Sequence, residues 1–300
     1  MNRQDVTIIR AGSTGRRKDT LTKFAFLLCA VLIASTHDAF AQIVMQSAGT
    51  TVLVQGAVIL TDSSGNRHPI AIGGFINPGD TIDTGTNGEL HVKMEDGGYL
   101  AVRPNTLVKI DAYSANGDAT DNSAILLIRG ALRSVTGWIG KLNAKRYRIT
   151  TPTATIGIRG TDHETIYIEE GEAKPGEVPG THDLVHHGAT FLENAEGRVE
   201  IPEGRAGYAP TMVNQLPALH TFIPKFLNQR RTSNDQLVDK HYAEIEKRIE
   251  EKLREHGILH DGEKYKEYIS RIKETRENAE VKGRTSVIEH EKKQIKHRKK

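Results

Sequence analysis

Residues 151–164, T-P-T-A-T-I-G-I-R-G-T-D-H-E, place two glycines inside a run of residues that favour β-strands. Glycine in a strand has no side chain to pack, so it usually marks a bulge or a close approach of two backbones. Residues 165–168 again favour a strand and not the helix that a phosphate-binding glycine loop requires. Gly157 and Gly160 therefore predict a kink within a β-structure. The motif residues are Thr151, Pro152, Thr153, Ala154, Thr155, Gly157, Arg159, Gly160, Thr161 and Asp162.

Residues 50–209 have the pattern of a chain made of many short strands. In residues 89–94, Leu, Val and Met alternate with Glu, His and Lys, which is the period of a half-buried strand. Asn-Gly or Asp-Gly pairs at 87–88, 96–97 and 116–117 favour the positive φ angles of tight turns. Short strands at intervals of roughly ten residues predict an all-β main domain. A sandwich, a roll and a short β-solenoid all satisfy this pattern.

The pattern changes from strand to helix near residue 234. The apolar residues that recur at helical spacing are Leu237, Val238, Tyr242, Ile245, Ile249 and Leu253. Ser233 or Asn234 can begin this helix and Gly257 can end it, and a second helix is predicted over residues 263–279. An isolated helix of this length is marginal in water, so the apolar stripe must pack on the β-domain or on another chain. We expect a loosely docked or partner-bound tail that stays outside the β core.

The distribution of charge also divides the chain. Residues 42–227 contain 15 Lys and Arg against 20 Asp and Glu, whereas residues 228–300 contain 20 against 15. The opposite net charges favour contact between the two parts, although salt screens exposed charges beyond roughly 8 Å. The predicted organisation is a signal peptide at residues 1–41, a β-domain at 48–209, a linker at 210–230 and a charged helical tail at 231–300.

The first residues of the chain have the features of an export signal. A basic segment precedes a run of twelve apolar residues at 24–35, and Ala39-Phe40-Ala41 has the small-x-small form that signal peptidase cleaves. Twelve residues rise only about 18 Å as a helix, whereas roughly 20 residues are needed to span a bilayer. We therefore predict cleavage between Ala41 and Gln42 and a periplasmic or secreted protein of a Gram-negative bacterium. An uncleaved anchor is the alternative.

Three histidines are the candidates for binding a metal. His182 and His186 are four residues apart, a spacing that brings two ligands together on a helix. Gly180 and Gly188 flank them and the surroundings are β-rich, so a helix is not expected. We predict that His182, His186 and His187 are exposed loop residues, with no bound metal and no other cofactor.

The run Asp162, His163 and Glu164 contains residue types that are common in active sites. On a strand, Asp162 and Glu164 face one side and His163 the other, so the three side chains do not converge. The sequence contains no nucleophile elbow, zinc-protease helix or Walker loop. Its one cysteine, Cys29, lies in the predicted signal, which excludes disulfides and thiol chemistry from the mature chain. We predict that the protein is not an enzyme.

An ordered series of short motifs extends over residues 49–209. It includes P-G-D-T-I-D-T-G at 78–85, R-P-N-T at 103–106, R-G-A-L-R at 129–133 and the glycine-interrupted motif, and a predicted hairpin at 194–207 closes it. The series resembles the FecR domain family, which is named for the periplasmic half of the ferric-citrate regulators. Sensor-regulators of that family carry a sigma-binding domain before their membrane helix. We expect a free-standing FecR-domain protein without the anti-sigma domain.

The resemblance also implies one chemical possibility. Some sensor-regulators with this domain cleave themselves at a Gly-Thr bond by an N-to-O acyl shift. Gly160-Thr161 is the bond of this sequence that aligns with it. The alternative is a purely structural glycine bend.

Two functions follow from these expectations. In the first, the protein is a non-enzymatic periplasmic binding scaffold whose partner is an envelope protein or a glycan. In the second, it is a signalling component that acts in trans on an iron-related or cell-envelope regulator. No nucleic-acid partner is expected. Membrane contact is expected only through the signal peptide or the basic residues 292–300.

Overall fold

The computed structural model describes residues 47–275 of the protein, except residues 119, 213, 261 and 273. The predicted signal peptide with its cleavage site, Cys29, the end of the second predicted helix and the basic residues 292–300 lie outside the described residues. Within residues 47–275, none of the described helices has the length and apolar character that crossing a bilayer requires.

The described chain is mainly β-strand, as the sequence predicts. In chain order the strands are β1 (Gly49–Gln55), β2 (Val58–Thr61), β3 (Arg67–Pro69), β4 (Phe75–Ile76), β5 (Thr81–Thr84), β6 (Glu89–Met94), β7 (Tyr99–Val102), β8 (Leu107–Ser114), β9 (Asn122–Val135), β10 (Tyr147–Thr150), β11 (Thr155–Ile158), β12 (Asp162–Ile168), β13 (Gly180–His187), β14 (Ala189–Asn194), β15 (Gly197–Pro202), β16 (Ala206–Pro210) and β17 (Ala218–Leu219).

These strands form two sheets that share β9. The first sheet has the order β4-β1-β6-β7-β9-β12-β13-β16-β17. The second sheet has the order β3-β2-β5-β8-β9-β10-β11-β14-β15. The pairing of β9 with β10 is parallel, and the other pairings of the described strands are antiparallel. The chain therefore passes repeatedly between two open sheets, in a two-layer all-β arrangement.

The shared strand β9 bends where it leaves one sheet for the other. Its residues 122–129 pair with β8 and β10 in the second sheet, and residues 130–135 pair with β7 and β12 in the first. Gly130, at the bend, has a φ of 90°, which favours glycine. The Thr106 hydroxyl donates a hydrogen bond to the Ala131 carbonyl and accepts one from its N–H, both at 3.0 Å. Thr106 belongs to the R-P-N-T motif, and Gly130 and Ala131 belong to the R-G-A-L-R motif. Residues of these two motifs thus stabilise the bend.

A hydrophobic cluster fills the space between the sheets. On β6, the alternate residues Leu90, Val92 and Met94 are buried in it, as their spacing predicts. Complete burial of one aliphatic side chain contributes about 1.5–3 kcal/mol relative to exposure. Other members of the cluster are Ile76, Ile82, Leu100, Val108, Leu127, Leu132, Ile149, Ile156, Leu192 and Ile201.

The described helices are short and lie mostly at the C-terminal end. They are α1 (Trp138–Leu142), α2 (Lys225–Asn228), α3 (Asp235–Ala243), α4 (Ile245–Glu255) and α5 at residues 265–272. The single helix predicted from residue 234 is therefore two helices, which meet at Glu244. Gly257 follows α4 with a φ of 67°, and the Ile258 N–H donates to the Leu253 carbonyl at 2.8 Å. This is the glycine-ended helix terminus that the sequence predicts.

The tail helices cover the outer face of the first sheet, which is the face turned away from the second sheet. Val238, Ile249 and Leu253 are fully buried and belong to the same cluster as the core between the sheets. The tail helices therefore contribute to the buried core, which differs from the expected tail outside the β core; how loosely they dock stays a prediction. The physical reason lies in the sheet: Glu89 and His91 of β6 point outward, and both are buried because the helices lie over them.

Residues 210–230, the predicted linker, contain β17 and α2. Phe226 and Leu227 of α2 are buried in a second, smaller cluster with Ile166 of β12 and Leu184 of β13. This segment therefore also packs on the outer face of the first sheet. The division of the chain into a β-domain, a linker and a tail stays a prediction.

Candidate functional site

Strand alternation places charged side chains on the outer face of the first sheet, beneath α3. Glu164 of β12 lies directly opposite Arg133 of β9 in the strand register, and Arg103 directly follows β7. These side chains meet two carboxylates of α3. We name the outer-face cluster by its members, Glu89, Arg103, Arg133, Asp162, Glu164, Asp235 and Asp239. All members except Asp239 are almost fully buried.

Arg133 binds one carboxylate of the sheet and one of the helix. Its Nε and Nη2 donate to the two carboxylate oxygens of Asp162 at 2.8 and 2.6 Å. Nη2 also donates to Asp239 Oδ1 at 2.7 Å. Burial alone would lower the pKa of Arg133, but the bonds to Asp162 and Asp239 outweigh this effect and the pKa is raised. The guanidinium is therefore a fixed positive charge that joins β12 to α3.

Arg103 makes the second connection between the sheet and α3. Its Nε donates to Glu164 Oε1 at 3.1 Å, and its Nη1 forms an ion pair with Asp235 Oδ1 at 2.5 Å. A further oxygen, Glu89 Oε1, lies 3.5 Å from Nη1. The two arginines therefore form ion pairs with the carboxylates of Asp235 and Asp239, which are four residues apart and lie on the same side of the helix.

Glu89 ties the segment before α3 to the sheet. It accepts hydrogen bonds from the Thr232 hydroxyl at 2.9 Å and from the Asn234 amide at 2.8 Å. His91 Nε2 is 2.8 Å from the same carboxylate. Burial raises the pKa of Glu89, but these hydrogen bonds outweigh it and lower the pKa to about 2. The carboxylate is therefore ionised at neutral pH and holds the start of α3 in place.

The outer-face cluster contains more buried carboxylates than arginines. Burial raises the pKa of the Glu164 carboxyl group, and the nearby Arg103 offsets this rise only in part. Glu164 Oε2 and Arg103 Nη2 have no hydrogen-bond partner among the described residues. Breaking a buried ion pair is costly, yet such a pair adds little net stability compared with apolar packing. The cluster therefore fixes where α3 docks more than how strongly it docks.

Further contacts with the sheet continue along α3 and α4. His241 Nε2 donates to the Gly97 carbonyl at 2.9 Å, and its ring lies 4.6 Å from that of Tyr99. Burial lowers the pKa of His241 to about 4, so this histidine is neutral at pH 7. Lys252 of α4 forms an ion pair with Glu95 at 3.0 Å. The interface thus combines a buried charged centre with an apolar and aromatic flank.

Comparison with known proteins identifies the part of the chain that supplies the sheet side of this cluster. Residues 80–175 match the family model described as FecR protein. Over these residues the chain is similar to a FecR domain. No curated protein matches the chain in sequence. FecR domains belong to regulatory proteins and not to enzyme families.

Two solved structures are also similar to the chain. Both are crystal structures of a protein described as a "putative anti-sigma factor" from Parabacteroides distasonis ATCC 8503. The sequence identities are 10% and 11%, and the TM-scores are 0.38 and 0.37. Each similarity covers 49% of this chain and 62% of the other chain. This chain therefore spans less than two thirds of the length of the structures that it matches.

The glycine-interrupted motif of the FecR domain forms a kinked connection, as the sequence predicts. Gly157 lies in β11 against the ring of Phe191, which leaves no room for a side chain. Gly160 has a φ of 69° in the turn between β11 and β12. The Thr181 hydroxyl of β13 is within 2.5 Å of the Thr151 hydroxyl and 2.6 Å of the Thr153 hydroxyl. These bonds attach the start of the motif to the first sheet.

Thr161 follows the kink and is held by its backbone. Its N–H donates to the Thr136 hydroxyl at 2.8 Å, and its carbonyl accepts from the Thr136 N–H at 2.9 Å. Its own hydroxyl is buried without a hydrogen-bond partner among the described residues. Cleavage of the Gly160–Thr161 bond stays a prediction.

The three candidate metal ligands lie on β13, so their assignment to a loop is wrong. His182 is fully buried and its ring lies against those of Tyr208 and His220, with its Nδ1 3.0 Å from His220 Nε2. Burial lowers the pKa of His182 to about 4. His186 is partly buried, and His187 is exposed with its ring stacked 4.3 Å from that of Tyr242. Along a strand, His182 and His186 are about 13 Å apart, and no group of three potential ligands converges among the described residues.

The inner face of β12 carries a separate polar group. His163 Nδ1 is 2.8 Å from Asp183 Oδ1, and Asp183 also accepts hydrogen bonds from the hydroxyls of Thr165 and Thr190 at 2.8 and 2.6 Å. Asp162 and Glu164 face the opposite side, as strand alternation predicts. The side chains at 162–164 therefore do not converge.

Sequence reasoning missed the arginines of the outer-face cluster and their helix partners. Arg103 and Asp235 are far apart in the chain, and only the folded sheet brings them together. The local signal that was available is the pair Asp235 and Asp239, four residues apart at the start of a helix whose apolar stripe needed a surface.

Proposed function

We propose that this protein is an exported regulatory protein that acts by binding and not by catalysis. In this proposal the FecR domain is a scaffold, and the C-terminal helices on its outer face form the part whose docking is controlled. The FecR match supports the regulatory class. The sequence features at residues 24–41 support export.

The observation that carries this proposal is the outer-face cluster. Arg103 and Arg133 bind carboxylates of both the sheet and α3. Because such a cluster specifies position without adding much net stability, a partner that competes for it can displace α3. An envelope protein that presents carboxylates to the two arginines fits this role.

Signalling in trans on an iron-related or envelope regulator is the more specific form of the proposal. Its support is the FecR match alone. Genes for an outer-membrane receptor and a sigma factor beside this one would favour it over a passive binding scaffold.

Fractionation and N-terminal sequencing test export. The protein recovered from the periplasm is expected to begin at Gln42, whereas full-length protein in the membrane fraction would contradict cleavage. The same experiment tests the turn at Gly160. One N-terminus is expected if the turn is purely structural, and a second fragment that begins at Thr161 would demonstrate self-cleavage.

Gene deletion with transcript profiling tests the regulatory role. Loss of the protein is expected to change the expression of a defined set of envelope or iron-uptake genes, and the wild-type gene is expected to restore it. The Asp239→Lys variant places a cation beside Arg133 and is expected to fail in restoring the wild-type pattern. Asp111→Lys makes the same charge change at an exposed carboxylate of β8 and is the matched control.

The outcomes separate the two parts of the proposal. Unchanged transcripts in the deletion strain would contradict a regulatory role. Full restoration by Asp239→Lys would contradict control through the docking of α3.

A further inference from the structure

A cleft lies beside the bend of β9, and we name it the corner cleft. Its volume is 690 Å³, within the range of about 300–1,000 Å³ that is typical of small-ligand sites. One wall consists of residues 83–86, Asn105 and residues 129–130. The other wall consists of Tyr167, Ile168, Glu169, Glu172, Lys174, Glu177 and Arg230. Apart from Glu177 and Arg230, the lining residues lie within the FecR match. The cleft is therefore chiefly a feature of the FecR domain.

Ion pairs neutralise charged groups on both walls. Arg129 Nη2 is 3.0 Å from Asp83 Oδ1 on the first wall. Arg230 Nη2 is 2.9 Å from Glu177 Oε1 on the second. Each pair presents hydrogen-bond donors and acceptors at a fixed separation without a strong local charge.

An aromatic ring and an amide complete the lining. Tyr167 is partly buried, and its remaining surface lines the cleft. Asn105 is exposed and has a φ of 57°, a left-handed conformation that asparagine tolerates. Its backbone N–H donates to the Gly85 carbonyl at 3.0 Å, so the turn that carries the amide is anchored.

We propose that the corner cleft binds an uncharged saccharide chain. Sugar hydroxyls both donate and accept hydrogen bonds, which matches paired carboxylate and guanidinium groups and an amide. The apolar C–H face of a pyranose ring matches the face of Tyr167. A basic peptide fits less well at Asp83 and Glu177, because arginines already engage both carboxylates. The other charged lining residues, Glu169, Glu172 and Lys174, are of mixed sign and lie on the second wall. This inference adds a ligand to the proposed regulatory protein and does not depend on its signalling role.

Isothermal titration of the purified full chain tests the inference. The probes are a tetramer of N-acetylglucosamine, a tetramer of glucose and trilysine, each at concentrations up to about 10 mM. Binding of at least one sugar probe is expected, and it should persist at roughly 0.15 M salt because it does not rest on net charge. The two sugars separate an amino-sugar source, such as a cell-wall glycan, from a plain glucan.

Two glycine substitutions provide a matched comparison. Asn105→Gly removes the amide but keeps the left-handed backbone, and it is expected to weaken sugar binding by at least about tenfold, which is 1.4 kcal/mol. Asn214, the other described residue besides glycine with a positive φ, lies outside the corner cleft. Asn214→Gly is expected to leave binding unchanged. Circular dichroism and melting temperatures verify that both variants fold.

Three results would overturn the inference. The first is that neither sugar binds the wild-type chain. The second is that Asn105→Gly binds sugar as the wild type does. The third is that trilysine binds where sugars do not and is released by salt, which would assign the cleft to a basic peptide. The transcript experiment is independent of these titrations, so a failure here leaves the regulatory proposal standing.

Discussion

Alternate residues of the same strands form the inner and outer faces of the first sheet, yet the two faces bury different kinds of side chain. On the inner face of β12, both His163 and Thr165 contact Asp183 within a mainly apolar core. On its outer face, Asp162 and Glu164 pair with arginines that also hold α3. The inner face is completed by the β-strands themselves, whereas the outer face is completed by residues more than 60 positions further along the chain. The inner face therefore specifies the fold, and the outer face specifies a docked position.

Loss of a buried arginine should give the largest effect on the outer face. Arg133→Met leaves Asp162 buried without its partner, so we expect the free energy of unfolding to fall by about 3–5 kcal/mol. Arg159→Met breaks an ion pair whose members are 63% and 61% exposed, and it should cost less than about 1 kcal/mol. Urea unfolding of both variants measures the difference. Equal losses would show that the outer-face cluster has no special role in docking.

Removal of an apolar contact from the tail tests whether α4 belongs to the core. Leu253 is fully buried, so Leu253→Ala is expected to cost about 2–5 kcal/mol. Leu237, in the same tail, is 43% exposed, and Leu237→Ala should change stability by about 0.5 kcal/mol or less. Thermal or urea unfolding gives both values. A negligible loss for Leu253→Ala would support the expectation of a loosely docked tail.

Acid should weaken the outer face through His241. Burial lowers the pKa of His241 from 6.5 to about 4, so between these values the unfolded chain binds a proton that the folded chain does not. Stability is therefore present above pH 6.5 and is lost as the pH falls towards 4, by an amount on the order of 3 kcal/mol. Burial also lowers the pKa of His182 and of His186 to about 4, so we expect His241→Gln to reduce the slope of this part of the stability profile without abolishing it.

The control for the pH experiment is His260→Gln. His260 is exposed, so its substitution should leave the slope between pH 6.5 and 4 as in the wild type. An unaltered slope in His241→Gln would mean that other groups cause the acid sensitivity. Below pH 4.5, protonation of Glu89, whose pKa is about 2, should remove further stability.

The smallest expected effect concerns the kink at Gly160. A β-branched residue is strained at its φ of 69°, so Gly160→Val should cost about 1–3 kcal/mol. Gly160→Asn is the conservative change, because asparagine tolerates the left-handed region, and it should lose less. Melting temperatures compare the two. If valine were tolerated as well as asparagine, the backbone conformation would not be the reason for glycine at this position.

Local sequence patterns predicted the secondary-structure elements of this molecule, but they did not predict the contacts between those elements. Alternation placed Leu90, Val92 and Met94 in the core, and the glycine rules located the kink and the end of α4. The same alternation predicted an exposed outer face, which is wrong because helices distant in the sequence cover it. Arg103 and Glu164 are 61 residues apart, and no local period connects them. The histidines of β13 were misplaced because their flanking glycines suggested a loop.

The shared strand β9 has a consequence for how the protein opens. Since its two halves are bonded into different sheets and Gly130 joins them without a break, neither layer can separate from the other while β9 keeps its hydrogen bonds. The amide protons on either side of Gly130 should then exchange with deuterium only when both β-sheets unfold together. The slowest-exchanging amides would mark one cooperative unit that spans both layers.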